Sequence, residues 1–446
     1  LTVPIGVGFI AIARTTFDIP LAEHMTAQAR AQLEAAGFTL FGPEALVTNA
    51  EEAEAAVGSL TEYSPPLVIM FQATFADSTM VTSIAQAVNA PLLMWAVPEE
   101  RTGGRLRLNS LCGINLAAHA LKRAGYFYEH VYAAPGDAVV VQKALALRGA
   151  SVARHWLQGA RIGRVGENPA GFETCNFDAS ALKERFGVNI VQLDLGSVFE
   201  VSRQIEPDTI QLTRGELAER VSGLESVDQT ALDGTLSVYW TLRTLAHTQN
   251  LEGFAVRCWP EFFTERGCAA CGAMSMMNDG GVPCSCEADV NGTITQYILQ
   301  SISGEPAFGT DVVAVDDERD GMVLWHCGLA PLSMADPESQ PVAAIHSNRK
   351  LPLLMEFPLK PGRVTVARLS EVGGEYRLVV GAGEMQRAPK SFSGTSGVVK
   401  FDRPAAEVLD TLLSEGLEHH LSLTYGDHTN ALYTLAKMLE LPVLRL

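Results

Sequence analysis

A chain of 446 residues is too long for one ordinary hydrophobic core and points to two or three domains. Hydrophobic residues make up 47% and charged residues 19%, which excludes global disorder and supplies large cores. The formal net charge of −18 repels phosphate backbones, so nucleic acid is not an expected partner.

The chain opens on Leu1–Ile10, a strand-like apolar run without a basic leader, so no secretory signal is expected. Val3–Ile10 reads as a strand. Leu21–Ala36 has helical periodicity and stops at Gly37, a suitable C-cap. Leu67–Phe71 follows two prolines as a continuous apolar strand, Ser78–Val88 is helical, and Pro91–Val97 is a third strand. This β-α-β-α-β order predicts a parallel sheet covered by helices. The apolar runs are far shorter than a bilayer requires, so no membrane is expected as a partner.

Arg101–Asn109 is polar and contains Gly103 and Gly104, which places a boundary after residue 108. A second α/β unit is expected over 109–305. It comprises a helix at Leu111–Arg123, strands at Arg161–Gly166 and Asn189–Leu195, a helix at Gln229–Thr248 and a strand at Gly253–Cys258. Beyond about Gly304 short β-type runs dominate: Asp311–Val315, Met322–His326, Val364–Leu369 and Tyr376–Val380, with turns at Lys360-Pro361-Gly362 and Gly373-Gly374. Residues 306–446 therefore read as a β-rich, barrel-like C-terminal domain, closed by a helix at Asn430–Leu439. The expected fold is two Rossmann-like α/β domains with parallel sheets followed by that β-rich domain.

Chemistry-bearing residues concentrate between Cys258 and Gly328. Glu287 ends a short apolar stretch just before a helix, where a carboxylate at the mouth of an α/β sheet can reach a ligand. Asp289 reads as the N-cap of that helix. Asp311 stands at the head of an apolar strand, a position of poor β-propensity for Asp. His326 ends a strand, and His419-His420 precede another. Two carboxylates with one or two imidazoles form an oxygen/nitrogen ligand set suited to Mn²⁺, Fe²⁺, Co²⁺ or Zn²⁺. Cys268, Cys271, Cys284 and Cys286 combine a CxxC with a CxC, poor spacing for paired zinc knuckles, so packed thiols are expected there. Eight cysteines in this length do not make a disulfide scaffold, and a reduced, cytoplasmic setting is expected. No phosphate loop, nucleophile elbow or dinucleotide fingerprint is present.

The segments Cys258-Trp259-Pro260-Glu261-Phe262, Asn278–Pro283, Cys286–Gly292, Ala307–Asp311, Trp325–Gly328, Lys360–Thr365 and Glu418-His419-His420 follow one another in a specific order. With Asn109–Gly113, they make the chain from about Asn109 onward resemble the L-fucose/L-arabinose isomerase-like superfamily; the first hundred residues resemble it only in their α/β rhythm. The resemblance implies a divalent metal, usually Mn²⁺, held by Glu287, Asp311 and a C-terminal histidine. His420 matches that histidine, His419 is the alternative, and His326 matches a further ligand in the arabinose isomerases. Trp259, Arg14 and Trp95 are the positions it suggests for sugar contacts, and it implies a homo-oligomer, trimer or hexamer.

The implied activity is a metal-dependent aldose–ketose isomerisation of a free or substituted monosaccharide through an enediolate. Glu287 and Asp311 would be the acid/base pair, with no organic cofactor. An isomerase of a phosphorylated or sulfonated sugar on the same scaffold, or a non-enzymatic sugar-binding protein, are the alternatives.

Overall fold

The computed structural model describes residues 5–88 and 90–446. The expected first strand began at Val3; Val3 and Pro4 lie outside the described residues. The chain divides into two compact units, Leu1–Val152 and Ala153–Leu446.

In the first unit β1 (Ile5–Ile12), α1 (Ile19–Ala35), β2 (Phe38–Phe41), α2 (Ala50–Tyr63), β3 (Val68–Gln72), α3 (Ser78–Ala87), β4 (Leu92–Ala96), α4 (Ser110–Arg123) and β5 (Tyr128–Tyr132) alternate without exception. All strands are parallel, in the order β2-β1-β3-β4-β5, a doubly wound arrangement. β3 and β4 are buried along their whole length, as central strands with both faces covered must be. Asp18, Asn49 and Asp77 cap α1, α2 and α3 by accepting backbone N–H groups, which fixes where each helix starts. β5 pairs with β4, so the boundary expected at residue 108 falls inside this unit, between β4 and α4. The polar stretch before Asn109 is a loop, and the sheet continues on its far side.

Helix α5 (Ala138–Leu157) spans the division. The second unit begins with a four-stranded parallel sheet of β6 (Arg161–Val165), β7 (Asn189–Leu193), β8 (Gly253–Val256) and β9 (Cys284–Ser285), ordered β7-β6-β8-β9. Between these strands run α6 (Ala179–Phe186), α7 (Leu195–Ser202), α8 (Pro207–Ala218), α9 (Gln229–Gln249) and α10 (Cys271–Asp279); α11 (Val290–Ser303) follows. The remaining chain forms β10 (Phe308–Asp316), β11 (Gly321–His326), β12 (Val342–Ala344), β13 (Leu354–Pro358), β14 (Gly362–Val372), β15 (Glu375–Gln386), β16 (Thr395–Phe401), α12 (Ala405–Ser414), β17 (His420–Tyr425), α13 (Thr429–Met438) and β18 (Val443–Arg445).

Six of these strands close on themselves in the order β16-β11-β10-β17-β14-β15, each pair antiparallel, with β15 returning to β16. The expected barrel is thus present, with β12, β13 and β18 as additions. One hydrophobic core runs through the unit, from Val165, Phe254 and Val256 of the parallel sheet to Phe308, Val364 and Val399 of the barrel. Among the described residues no helix is long and apolar enough to cross a membrane.

Candidate active site

The parallel sheet and the barrel bring their functional residues together at the carboxyl ends of the sheet strands. Thr174 follows β6, Trp259 follows β8, and Glu287 lies in the turn between β9 and α11. The carboxyl edge of a parallel sheet is the usual place for a ligand, because the loops there are free to vary. From the barrel come Asp311 in β10, His326 at the end of β11, and His419 and His420 at the start of β17.

The barrel register sets the first pairing. Asp311 stands directly opposite His420 across the β10–β17 ladder, close enough for side chains to meet. Asp311 Oδ1 lies 3.5 Å from His420 Nε2, and Glu287 Oε2 lies 3.9 Å from the same nitrogen. Asp311 Oδ1 is buried and has no hydrogen-bond partner, so its lone pairs are directed at this spot unused. The other ring nitrogen, His420 Nδ1, donates to Asp289 Oδ2 at 3.0 Å. In the neutral ring this leaves the Nε2 lone pair facing the two carboxylates.

Asp289 has three tasks. It caps α11 by accepting from the Gly292 N–H at 2.9 Å. It also takes a two-pronged ion pair from Arg368, at 2.5 and 3.0 Å, with both side chains essentially inaccessible. A Cβ at Gly292 would stand 2.8 Å from Asp289 Cγ and 3.0 Å from Arg368 Nη1, so only glycine leaves room for this pair. Burial works to raise the Asp289 pKa, but Arg368 and His420 outweigh it and hold the carboxyl well below its usual range. Asp289 therefore stays an acceptor and fixes the His420 ring. The N-cap role read from sequence is present; its two long-range roles carried no local signal.

Glu287 is held on two sides. Trp259 Nε1 donates to its Oε1 at 3.0 Å, and His419 Nε2 lies 3.0 Å from its Oε2. Burial again works to raise its pKa, and His419, His420 and Trp259 bring it below the usual value, so it is ionised at neutral pH. The reverse holds at His419: burial disfavours its charge, while Glu287 and then Asp311 raise its pKa on balance. Thr174 Oγ1 contacts His419 Nδ1 at 2.7 Å, and Phe172 packs edge-on against both Trp259 and His419. The backbone at Glu287 and Ala288 is left-handed, with φ of 59° and 55°. Two consecutive non-glycine residues in that region are strained, and such strain concentrates at sites where a side chain must be aimed.

Two sets of ligand atoms lie mutually within 4.8 Å and could hold a cation: Cys175, Glu287, His419 and His420, and Asp311, His326 and His420. They share His420. Burial, reinforced by Asp289 and Glu287, pushes the Cys175 thiol up, so without a cation beside it the thiol stays protonated. The cysteines of the CxxC and CxC are packed thiols: Cys271 meets Cys327 at 3.2 Å and Cys286 meets Cys258 at 2.7 Å, while Cys268 packs against Gly234 and Cys284 is buried in β9.

Of the residues singled out from sequence, Glu287, Asp311, His326, His419, His420 and Trp259 come together. Arg14 and Trp95 belong to the first unit. Arg14 is half-exposed and ion-paired with Asp77. Trp95 corrects the expectation of a sugar contact: it is fully buried in β4, edge-on to Phe71 at 4.9 Å, with its indole N–H donated to the Ala133 carbonyl at 2.8 Å. A sugar cannot reach a ring whose faces and polar atom are all used by the core. Sequence reading missed Phe172 and Thr174, which lie far from the motif segments in the chain, and Arg368, which follows Lys360–Thr365 by three residues but carries no local sign of its buried partner.

A parallel sheet joined to a closed barrel, with carboxylates and imidazoles converging where they meet, sets groups able to accept and donate protons side by side. Residues 8–153 match the family described as fucose/sulfoquinovose isomerase, N-terminal domain, and residues 354–446 match L-fucose isomerase, C-terminal domain. The chain is 33% identical over 437 residues to proteins of Priestia aryabhattai and Priestia megaterium, covering 97% of each chain. It is 30% identical over 440 residues to one from Alkalicoccus urumqiensis, covering 98% of both. All three relatives are named sulfoquinovose isomerase. The chain belongs to the fucose isomerase-like superfamily, a family of aldose–ketose isomerases. The N-terminal match begins at residue 8, where sequence reading had found only an α/β rhythm.

Proposed function

We propose that this protein interconverts a sulfonated aldose, sulfoquinovose, and the corresponding ketose by proton transfer between C1 and C2. The observation that carries the reading is the approach of Glu287 and Asp311 to one imidazole nitrogen, at 3.9 and 3.5 Å, in a chain whose full-length relatives bear that activity in their names. Among the substrates left open by the sequence, those names favour a sulfonated sugar over a neutral one.

Isomerisation needs a weakly acidic C–H proton to leave one carbon and return to its neighbour. Glu287 is ionised and anchored by Trp259 and His419, so it can accept a proton without reorienting. Asp311 offers an unpartnered oxygen on the same side of His420 Nε2. His419, whose pKa Glu287 and Asp311 raise, lies beside Glu287 and, when protonated, can stabilise negative charge that develops on the sugar. Asp289 and Arg368 keep the His420 ring in one orientation.

Two carboxylates that each approach His420 Nε2, one of them with an oxygen lacking any partner, support a divalent cation; oxygen and nitrogen donors of this kind suit Mn²⁺ among other divalent ions. Glu287, Asp311 and His420 would hold it, with His326 or His419 as further ligands; bound there it would polarise the sugar oxygens and acidify the C–H.

The test is incubation with sulfoquinovose and Mn²⁺ in D₂O, read by NMR. Formation of the ketose, with deuterium entering at C1 or C2, is expected. No conversion with Mn²⁺, Mg²⁺, Co²⁺ or Zn²⁺ overturns the proposal.

A further inference from the structure

Arg349 lies in the turn after β12. His346 organises this turn: its Nδ1 faces the N–H groups of Asn348 and Arg349 at 3.3 and 3.4 Å, and its carbonyl accepts from the Lys350 N–H at 2.8 Å. The Arg349 guanidinium carbon is 4.6 Å from the centre of the Trp259 ring and 5.5 Å from that of Phe263. Two aromatic rings thus fix its plane. Trp259 is the residue that donates to Glu287 Oε1. The cation therefore sits one indole ring away from a proton-transferring carboxylate.

Its charge is not neutralised locally. Arg257, Arg363, Arg368, Arg377 and Arg387 each reach a carboxylate, whereas among the described residues Arg349 pairs with none. Its side-chain polar contact is with His346 Nε2, at 3.3 Å. The surroundings are cationic: after burial, Arg349, His326 and Lys350 all oppose protonation of His346. A guanidinium stacked on aromatic rings, with N–H donors left over and no acid beside it, is arranged to receive an anion.

We propose that Arg349 binds the sulfonate group of the substrate and is the residue that selects a sugar charged at C6 over a neutral one. An extended open-chain hexose carries C6 about 6 Å from C1, by ordinary carbon–carbon bond lengths, so the sulfonate extends past a ring of indole size while C1 and C2 stay at the carboxylates. The forked donors match two sulfonate oxygens at once. The inference rests on the sulfonated-sugar reading above.

The experiment compares wild type, Arg349→Gln and Arg349→Lys on sulfoquinovose and on quinovose, which lacks the sulfonate. For Arg349→Gln, KM for sulfoquinovose should rise roughly 10- to 100-fold, the worth of a charge-assisted pair, with kcat within a few-fold. The preference of wild type for sulfoquinovose over quinovose should shrink accordingly. Arg349→Lys keeps the charge without the fork and should fall between the two; it decides the matter if Arg349→Gln does not fold. An unchanged KM for sulfoquinovose, or an equal fall in kcat showing that Arg349 acts only through Trp259 and Glu287, overturns the assignment while leaving the activity standing. Failure of wild type itself to convert sulfoquinovose strikes the functional reading instead.

Discussion

Asp289 and Arg368 form an ion pair with 1% and 0% side-chain exposure, and the same Asp289 carboxylate holds His420 through Nδ1 at 3.0 Å. A buried pair of this kind is costly to break, because the surviving charge is stranded away from water. Asp289→Asn should therefore destabilise the fold by about 3 kcal/mol in denaturant unfolding. In the fraction that remains folded, turnover should drop roughly 10- to 100-fold as the His420 ring loses its anchor. Wild-type stability and turnover in this variant would mean that the ion pair neither supports the fold nor orients the ring.

Glu287→Gln and Asp311→Asn are nearly isosteric, so circular dichroism should be unchanged. Turnover at saturating Mn²⁺ should fall by about 10²–10⁴-fold in each, the usual cost of losing a positioned acid or base. The loss should be in kcat rather than KM, because the proton is in transit only in the transition state. Conversion within a few-fold of wild type by either variant removes that residue from the acid/base pair.

Dialysis against a chelator should abolish isomerisation, and Mn²⁺ should restore it. The thermal midpoint should also rise on adding Mn²⁺ to chelated protein, since an ion bound only by the folded state stabilises it by mass action. Asp311→Asn should blunt that rise. Full activity after exhaustive chelation, with metal content verified, would contradict a cation at Glu287, Asp311 and His420.

Burial and the neighbouring Arg349 push the pKa of His346 down to about 4. The unfolded chain, with an ordinary imidazole, takes up a proton first as pH falls. Between about pH 6.5 and 4 the unfolded state binds more protons, so His346 contributes stability that is complete above 6.5 and lost progressively toward 4, up to about 3 kcal/mol. His346→Asn should flatten the acid limb of a stability–pH curve over that window. An unchanged slope would show that the imidazole is not held neutral in the fold.

Trp95→Ala should cost about 3–5 kcal/mol, as expected for emptying a fully buried aromatic site. The milder Trp95→Phe should leave KM for sugar unaltered, because no face of this ring is open to a ligand. A KM change with Trp95→Phe at unchanged stability would restore it as a substrate contact.

Much of this protein is written locally. The apolar runs of β3 and β4, the caps at Asp18 and Asp289, the glycine after α1 and the short β-runs beyond Gly304 report their structures through neighbours a few residues away, where propensity and periodicity act. The motif around Glu287 and the strand head at Asp311 were legible for the same reason. The boundary at 108 was not, because a polar loop looks alike whether it ends a domain or joins β4 to a helix of the same sheet; only the pairing of β4 with β5 distinguishes them. Nor could the chain alone separate Trp95 in a core from Trp259 beside a carboxylate, since both are tryptophans at strand ends and differ only in what packs around them. Closure of the barrel decided that Asp311 faces His420 and that Arg368, 79 residues beyond Asp289, neutralises it. Those contacts depend on ladder register and sheet closure, which are set by the whole set of strands at once and leave no mark in any single segment.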